Sequence, residues 1–384
     1  MSDLLTQSPF DPAIERRIVI IADWLPPDFG AVGQYMSMRA RSFAEHGHDV
    51  TLIGLASAPG SNRRTQMGQG TLHEVRLAAR PVPRASMLMR LLWTLGTDIR
   101  LVAAAFRSLR RADGILFTGS PPFLIHLLAP LKRFWRGRLI YRITDFHPEC
   151  LIAARERPSK MLDLLLGLTN FWRRKVDGFE VLGEDQLDRL HETGIARERI
   201  ALVRDGSPIS FDNATRHQVP PELAGHCVLL YSGNYGVAHE VDTVARGYLL
   251  HHREGSGKVR LWLSATGVGA ETLVARFNEE KLPYYRSPPV ALEQLAGLLL
   301  AADAHLVTLR DRFVGFVMPS KIYACLESRR PIVFVGGVDS DVDRLARRSD
   351  LSYWQVPCGD ATGFAAALEA LAISVQKNQN RSLS

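Results

Sequence analysis

The chain has 384 residues, 46% of them hydrophobic, with a formal net charge of +7. A single hydrophobic core usually stops growing near about 250 to 300 residues, so two domains are expected, and the positive charge favours an anionic partner. The first residues do not form a signal peptide, no window reaches the roughly 18 apolar residues of a membrane span, and the four dispersed cysteines fit a reducing cytoplasm.

In the first half of the chain, short apolar runs alternate with helical patterns, which is typical of parallel sheets joined by crossover helices. The runs are almost continuously apolar, so both faces of each strand are expected to be covered. The predicted strands are RIVIIAD (17 to 23), HDVTLIG (48 to 54), DGILFTG (113 to 119), RLIYRITD (138 to 145), GFEVLG (178 to 183) and RIALVR (199 to 204).

Three prolines between residues 207 and 225 interrupt this alternation, and a second series of strands follows. The pattern predicts an N-terminal domain at 1 to 207, a linker at 208 to 225, and a C-terminal domain at 226 to 384 with a final helix and tail. Both domains are predicted to be doubly wound, with ligands outside the carboxyl ends of their strands. The second series is CVLLYSG (227 to 233), VRLWLSA (259 to 265), LPYYR (282 to 286), AHLVTLR (304 to 310) and PIVFVG (331 to 336).

Two glycine-containing loops follow predicted strands and precede predicted helices. Gly30 and Gly33 would let the backbone approach a ligand at a helix N-terminus, although a plain turn is the alternative. Their spacing is not that of a dinucleotide-binding fingerprint. In the C-terminal domain a helix is predicted to begin near His239, and the residues before it could hold a phosphate or a sugar hydroxyl: Ser232, Gly233 and Asn234.

The stretch MPSKIYACLESRRPIVFVG, from residue 318 to 336, places Ser320 and Lys321 at a predicted helix start. The first turn of a helix leaves backbone N–H groups unpaired, and its dipole favours negative charge. A lysine and a hydroxyl added to these groups predict an anion-binding site.

Several motifs together resemble a known enzyme family. Pro-Pro-x-x-Gly near the N-terminus, GHDVTLI, YSGNYG and MPSKIYACLESRRPIV occur in the order found in family 4 glycosyltransferases of the GT-B fold. The resemblance extends from residue 17 to about residue 370 and is greatest to bacterial enzymes of exopolysaccharide, O-antigen or colanic-acid-type assembly. It implies two Rossmann-like domains facing across a cleft, with a nucleotide-sugar donor held by the C-terminal domain and the acceptor by the N-terminal one.

The resemblance also implies roles for individual residues. Ser320 and Lys321 would lie at the donor diphosphate, where Lys321 offsets the charge that builds as the glycosidic bond breaks. Arg310 and the loop containing Thr266 and Gly267 would lie nearby, although a surface arginine after a strand is commonplace. The family's two glutamates fall at Phe316 and Ala324 here, so both are missing, and Glu327 either replaces one at the ribose or is a solvated acid.

Three titratable residues follow the strand RLIYRITD, namely Asp145, His147 and Glu149. A carboxylate or imidazole at this position could accept the proton of the acceptor hydroxyl. The alternative is a helix cap with a structural histidine. For a retaining enzyme of this family the departing phosphate itself can serve as the base, so no side chain is required.

The sequence favours no metal ion and no cofactor other than the donor substrate. VDSDVDR, residues 338 to 344, contains two Asp-x-Asp patterns, but the acids follow a strand and begin a helix, where capping explains them.

Two basic amphipathic stretches, 86 to 111 and 161 to 175, suggest an anionic membrane surface as a partner. For the first stretch, the alternative is an apolar stripe that packs on the sheet while its arginines face lipid or solvent.

The sequence therefore predicts a retaining glycosyltransferase, cytoplasmic and peripheral on the inner face of the cell membrane, that extends a glycan or polyprenyl-diphosphate-linked acceptor in bacterial surface polysaccharide synthesis. Two alternatives stay open, a GT-B-fold sugar-nucleotide epimerase and a non-catalytic nucleotide-sugar-binding scaffold subunit. A nucleic-acid partner is disfavoured because no aromatic stacking residues are interleaved with the arginines.

Overall fold

The computed structural model describes residues 9–28, 31–80, 87–155 and 157–383. By its internal contacts the chain forms two compact units, an N-terminal unit that ends at Asp205 and a C-terminal unit that begins at Gly206. The division lies two residues from the predicted end of the first domain at 207.

The N-terminal unit alternates strands and helices along most of its length. Its strands are β1 (Arg17–Trp24), β2 (Asp49–Ala56), β3 (Ser61–Met67), β4 (Gly70–Ala78), β5 (Gly114–Thr118), β6 (Arg138–Ile143), β7 (Gly178–Val181) and β8 (Ile200–Leu202). Its helices are α1 (Ala31–Glu45), α2 (Met87–Leu109), α3 (Leu124–Leu131), α4 (Glu149–Ala153), α5 (Lys160–Arg173) and α6 (Glu184–Glu192).

These eight strands form one sheet in the order β3-β4-β2-β1-β5-β6-β7-β8. All neighbours are parallel except β3, which pairs antiparallel with β4 in a hairpin at one edge of the sheet. The sequence pattern did not predict this hairpin, because β3 is largely polar and exposed and therefore has no apolar run. The first strand, β1, lies between β2 and β5, where the winding of the chain changes direction.

Helices cover this sheet in separate layers. α1 packs against β1, β2 and β4 in a cluster that includes Phe43, Ile20 and Leu52. Helix α3 contacts both α2 and α5, so these three helices lie side by side. The predicted apolar stripe on α2 is split by the fold, since Val102 and Leu109 are buried but Ile99 and Phe106 are exposed.

The C-terminal unit is a second α/β unit with a different strand count. Its strands are β9 (Cys227–Asn234), β10 (Val259–Thr266), β11 (Tyr284–Ser287), β12 (Ala304–Thr308), β13 (Ile332–Val335) and β14 (Tyr353–Val356). Its helices are α7 (Asp242–Arg253), α8 (Val268–Glu279), α9 (Leu292–Ala301), α10 (Lys321–Glu327), α11 (Asp341–Arg347) and α12 (Ala361–Leu383). The predicted tail is thus helical to Leu383.

This second sheet is wholly parallel in the order β11-β10-β9-β12-β13-β14. Its first strand, β9, starts near the middle, and the chain then winds outward first on one side and afterwards on the other. The order is that of a doubly wound dinucleotide-binding fold, whose ligands bind at the switch point between the first strand and the fourth. Here that point lies between β9 and β12.

The predicted linker, 208 to 225, is not a free connection. The backbone N–H of His217 donates to the carbonyl of Gly297 at 3.0 Å, and the Arg216 guanidinium donates to the carbonyl of Ala301 at 3.1 Å. Leu223 is buried in an apolar cluster with residues of α9 and β9. The segment therefore packs on the C-terminal unit as part of it, because its scattered apolar residues bury against α9.

Among the helices in the described part of the chain, none combines the length and the apolar character needed to cross a bilayer. None of the four cysteines, all of which lie in the described part of the chain, forms a disulfide.

Candidate functional site

The carboxyl edge of the C-terminal sheet gathers most of the residues that the sequence predicted as ligand-binding. Because β9 lies between β10 and β12, the loops that follow these three strands lie next to one another. Ser232, Gly233 and Asn234 end β9, Thr266 ends β10 with Gly267 after it, and Arg310 follows β12 by two residues.

Two glycines shape the loops at this edge. Gly267 has a φ of 104°, and a Cβ at this position would lie 2.7 Å from the carbonyl oxygen of Tyr235 and against the side chain of Asn234. The Tyr235 N–H donates to the carbonyl of Thr266 at 2.6 Å, which ties the two loops together. Gly233 has a φ of 99°, but a Cβ there would meet open space. The loops are thus fixed by close packing on one side and leave room beside Gly233 on the other.

Lys321 is the most unusual charged group at this edge. Its Nζ lies 3.3 Å from the centroid of the Tyr231 ring, is shielded from solvent, and donates no hydrogen bond to any described residue. Burial lowers the pKa of this ammonium group to about 7, because the charged form is poorly solvated there. A buried cation whose chief partner is an aromatic face can be stabilised by an incoming anion.

Aromatic side chains that the sequence did not predict as site residues hold Lys321 in place. The Tyr231 ring stacks on Tyr235 with centroids 4.2 Å apart, and His239 meets it edge-on at 5.8 Å. The Tyr231 hydroxyl donates to the carbonyl of Asn234 at 3.0 Å, which fixes the end of β9. The two tyrosines of YSGNYG could have indicated this support, but aromatic residues in or just after an apolar strand usually belong to the core.

His239 is buried beside this cluster and is held in its neutral form. Its Nδ1 lies 2.6 Å from the carbonyl oxygen of Thr308, so Nδ1 carries the proton and donates it. Burial, and then the charge of Lys321, lower the pKa of His239 to about 3. The helix predicted to begin at His239 begins at Asp242 instead, where the Glu240 carboxylate accepts from the N–H of Thr243 at 2.9 Å.

Arg310 is a second cation at the switch point, but it has a counter-ion. Its Nε lies 3.5 Å from the Glu240 carboxylate, and its backbone N–H donates to the carbonyl of Ala238 at 2.8 Å. The guanidinium is partly exposed and keeps further donors that these contacts do not use. Arg310 thus adds positive charge that is partly neutralised, whereas the charge of Lys321 is not.

The predicted helix mouth at Ser320 needs correction. Helix α10 has only seven residues, and the Ser320 side chain makes no capping hydrogen bond. Its first N–H groups are engaged in turns, since Ile322 donates to Pro319 at 3.1 Å and Tyr323 donates to Ser320 at 3.2 Å. An anion at this point would therefore meet the Lys321 side chain, whereas the N–H groups of Ile322 and Tyr323 are already paired.

The two positions where the family has glutamates, and the suggested substitute Glu327, lie in different environments. Ala324 is buried at 4% exposure in an apolar cluster, where a carboxylate would have no solvation. Phe316 is half-buried in the loop before α10. Glu327 is exposed at the last residue of α10, almost two turns from Lys321.

In the N-terminal unit, the three candidates after β6 have different environments. The Glu149 carboxylate pairs with the buried Arg173 guanidinium through both oxygens, and Arg173 also donates to the carbonyl of His147 at 3.2 Å. Glu149 thus has a structural role in this geometry, because both of its oxygens are occupied. Asp145 is partly exposed, and burial of its carboxylate raises its pKa to about 6. Burial also lowers the pKa of His147.

A carboxylate that the sequence did not predict lies at the switch point of the N-terminal sheet. Asp23, near the end of β1, accepts a hydrogen bond from the Ser120 hydroxyl at 2.9 Å, and its other oxygen is shielded and has no described partner. Burial raises the pKa of Asp23 to about 6. No motif marks it, since it is one acid at the end of an apolar run.

The predicted glycine loop after β1 is only partly described. Gly30 lies outside the described residues. A Cβ on Gly33 would overlap the carbonyl oxygen of Trp24. Gly33 therefore allows α1 to pack tightly against the end of β1, and the approach of its backbone to a ligand stays a prediction.

In the segment with the Asp-x-Asp motifs, Ser340 and Asp343 make hydrogen bonds within the protein. The Ser340 hydroxyl caps α11 by accepting from the N–H of Asp343 at 3.3 Å. The Asp343 carboxylate accepts from Arg347 at 2.7 Å and from the Tyr353 hydroxyl at 2.7 Å. Within the described ranges, no group of three or more His, Cys, Asp or Glu side chains could hold a metal ion.

No protein-family model matches the chain. A curated relative, Probable glycosyltransferase WbjE of Pseudomonas aeruginosa, is 23% identical over an alignment of 274 residues that covers 68% of this chain and 66% of that protein. The match thus spans just under two thirds of the relative's length.

Solved structures share the fold over almost the whole chain. Sucrose-phosphate synthase of Thermosynechococcus elongatus has a TM-score of 0.65 at 15% identity, covering 94% of this chain and 93% of that one. HepE of Anabaena in complex with UDP and glucose has a TM-score of 0.61 at 12% identity, covering 94% and 91%. The E. coli trehalose-6-phosphate protein bound with UDP-2-fluoro glucose has a TM-score of 0.62 at 14% identity, covering 94% and 93%. The chain therefore has the α/β fold of two parallel-sheet domains seen in GT-B glycosyltransferase structures.

Proposed function

We propose that this protein is a glycosyltransferase that takes its sugar from a nucleoside diphosphate sugar. The observation that carries the proposal is the buried ammonium of Lys321, which lies at the switch point of the C-terminal sheet with an aromatic ring as its chief partner. A diphosphate is the ligand that such a group favours. The name of the curated relative supports the proposal, as do the neighbours solved with UDP, UDP-glucose or its fluorinated analogue.

The proposed chemistry requires positive charge at the leaving group. The acceptor hydroxyl attacks the anomeric carbon, the bond from that carbon to the phosphate oxygen breaks, and this oxygen takes the electron pair. Lys321 offsets the developing charge, and Arg310, in the loop after β12 at the same switch point, adds a second cation. The proton of the acceptor hydroxyl passes to the departing phosphate oxygen, so this step needs no side-chain base.

The finer assignment rests on the sequence motifs. We propose membership in glycosyltransferase family 4, retention of the anomeric configuration, and a role in bacterial surface polysaccharide synthesis. We also propose a glycan acceptor on a polyprenyl diphosphate carrier, used at the inner face of the cell membrane. The motifs YSGNYG and MPSKIYACLESRRPIV support the family, and the net charge of +7 supports an anionic surface.

The donor site can be tested by a thermal-shift screen with UDP, GDP, ADP, CMP and dTDP, alone and as sugar conjugates. One nucleotide should raise the unfolding temperature in proportion to the logarithm of its concentration. Lys321→Ala should weaken its binding by about 1.5 to 3 kcal/mol, the usual worth of a charge-assisted hydrogen bond. Lys258→Ala is the matched control, since Lys258 is an exposed lysine of the same unit.

The outcomes separate the candidate functions. Equal nucleotide affinity in the wild type and Lys321→Ala would remove the basis of the proposal. Binding accompanied by acceptor-dependent release of nucleoside diphosphate identifies a transferase. If the protein binds a nucleotide sugar but releases no nucleoside diphosphate when membrane extracts supply the acceptor, the scaffold subunit is favoured. Interconversion of the bound sugar without an acceptor would favour the epimerase.

A further inference from the structure

Helix α5 presents a row of large apolar side chains to solvent. Met161, Leu164, Leu168 and Phe171 are exposed to 69, 76, 45 and 46% of their surfaces. At about 100° per residue, these four side chains fall within an arc of about 80°. The opposite side of the helix is the one that packs, since Leu162, Thr169 and Arg173 are buried. Such a contiguous row differs from the scattered single apolar residues that are normal on a soluble surface.

A second exposed row lies in the same helical layer. On α2, Leu91, Leu92, Ile99 and Phe106 are exposed to 41, 55, 56 and 44%. Because α3 contacts both α2 and α5, the two helices that carry these rows belong to one layer. We call the side chains of these two rows the apolar face of the N-terminal unit.

Basic residues surround the row on α5. Lys160 begins the helix, Arg174 and Lys175 follow its end, and all three are exposed. The Lys175 ammonium lies 5.6 Å from the centroid of Phe171, so charge and apolar surface meet at one end of the row. In the preceding segment Arg155 and Arg157 are also exposed, whereas α5 itself contains one acid, Asp163.

We propose that the apolar face docks the protein onto an anionic lipid bilayer, with α5 lying in the plane of the interface. The apolar row would enter the boundary between headgroups and acyl chains, while the lysines and arginines at its ends reach the lipid phosphates. The charge selects this occupant over a second copy of the chain, because two identical basic faces would repel each other. The inference deepens the proposed use of a lipid-linked acceptor by naming the surface that brings the protein to it.

The test is co-sedimentation of the full-length protein with vesicles of phosphatidylcholine, with and without phosphatidylglycerol. We expect binding to the anionic vesicles that weakens as salt is added. The double variant Leu164→Ser/Phe171→Ser should bind at least about tenfold more weakly, because it removes the apolar surface that enters the interface. Val338→Ser/Ile373→Ser is the matched control, with side chains that are 50 and 55% exposed in the C-terminal unit.

A charge-reversal variant tests the electrostatic part of the proposed membrane binding. Lys160→Glu/Lys175→Glu should weaken binding to anionic vesicles by about fivefold or more per residue and leave binding to pure phosphatidylcholine unchanged. Wild-type protein that ignores anionic vesicles, or row variants that bind them as the wild type does, would overturn the proposal. A concentration-dependent dimer that is lost in Leu164→Ser/Phe171→Ser would also overturn it, by assigning the face to a second copy.

Nucleotide binding by the same variants keeps the two proposals distinguishable. The thermal shift with the preferred nucleotide should be unchanged in the row variants, since none of the replaced residues lies at the β9/β12 switch point. Loss of vesicle binding with an intact thermal shift supports the docking face. A wild type that binds nucleotide but no vesicle would end this inference and leave the proposed transferase standing.

Discussion

The two sheets carry opposite charges at the same topological position. In the C-terminal unit the switch point between β9 and β12 holds the Lys321 ammonium, with Arg310 beyond it. In the N-terminal unit the switch point between β1 and β5 holds the Asp23 carboxylate and the Ser120 hydroxyl. The fold supplies two equivalent places for ligands, and only the side chains distinguish them. The cationic place suits a diphosphate, whereas the acidic place suits the hydroxyl groups of a sugar.

One physical cause acts on both groups in opposite directions. Burial disfavours the charged form, so it lowers the pKa of Lys321 to about 7 and raises the pKa of Asp23 to about 6. Each group is therefore close to losing its charge at neutral pH. A ligand that brings the complementary charge or hydrogen bond restores it, and this makes each group responsive to what binds.

The largest expected effect is on stability and concerns Glu149, whose carboxylate lies at neither of the two switch points. Glu149→Gln should lower the free energy of unfolding by about 3 to 5 kcal/mol, because it leaves the buried Arg173 without a counter-ion. Denaturant titration measures the change. Glu192→Gln is the control, since the exposed pair of Glu192 with Arg189 should be worth less than about 1 kcal/mol. Unchanged stability with lost activity would instead return Glu149 to the catalytic residues.

The next effect is the pH dependence of nucleotide binding. A bound diphosphate should raise the pKa of Lys321 from about 7, so above pH 7 binding requires proton uptake. Affinity should begin to fall as the pH approaches 7 and decline above it by up to about tenfold per pH unit. Calorimetry in buffers of different ionisation enthalpy would detect the proton. The dependence should be absent in Lys321→Ala, and a pH-independent affinity of the wild type would contradict this account.

A smaller effect is expected on the stability of the ligand-free protein. Lys321→Met keeps an unbranched side chain beside Tyr231 but removes a poorly solvated charge, so it should stabilise the fold by about 1 to 2 kcal/mol at pH 6. The folded pKa is lowered, so the wild-type penalty is complete below pH 7 and declines as the pH rises toward the unfolded value of about 10.4. The difference between the two proteins should therefore shrink between pH 7 and 10. Destabilisation by Lys321→Met at pH 6 would show that the lysine–ring contact dominates.

The sequence predicted the fold well where the signal was local. Apolar runs such as RIVIIAD and CVLLYSG are β1 and β9, and the comparisons confirm two parallel-sheet domains. The hairpin of β3 and β4 was missed because its edge strand is polar, and β14 because Tyr353–Val356 is short and only partly buried. The segment 208 to 225 was predicted as a linker because its prolines interrupt the apolar pattern, so its packing on α9 could not be recognised from the sequence.

The candidate site was predictable only in part. The sequence placed Lys321 at a helix start and Gly267 in a loop after a strand, and the structure has both residues in those local positions. The aromatic support of Lys321 by Tyr231 and the pairing of Glu149 with Arg173 were not predictable, because both depend on contacts between residues far apart in the chain. Asp23 was missed for the same reason, since only the sheet order brings it to Ser120. A helical wheel predicts an apolar arc on α2 but not which part of it neighbouring elements cover, so the division between buried Val102 and exposed Ile99 did not follow from the sequence.

The smallest expected effect would sharpen the comparison between the two places. If the acidic place binds an acceptor, Asp23→Asn should raise the KM for the acceptor by about threefold to tenfold, the worth of one hydrogen bond, and leave nucleotide affinity unchanged. Asn keeps an oxygen for the Ser120 hydroxyl, so stability should change little. Asp145→Asn is the parallel variant after β6. A shift in nucleotide affinity in either variant would mean that the two units do not divide donor and acceptor by charge. A rise in the acceptor KM with unchanged nucleotide affinity would support a division of substrates by charge. The buried group at the switch point of each doubly wound sheet would then decide, by its sign, which substrate that unit binds.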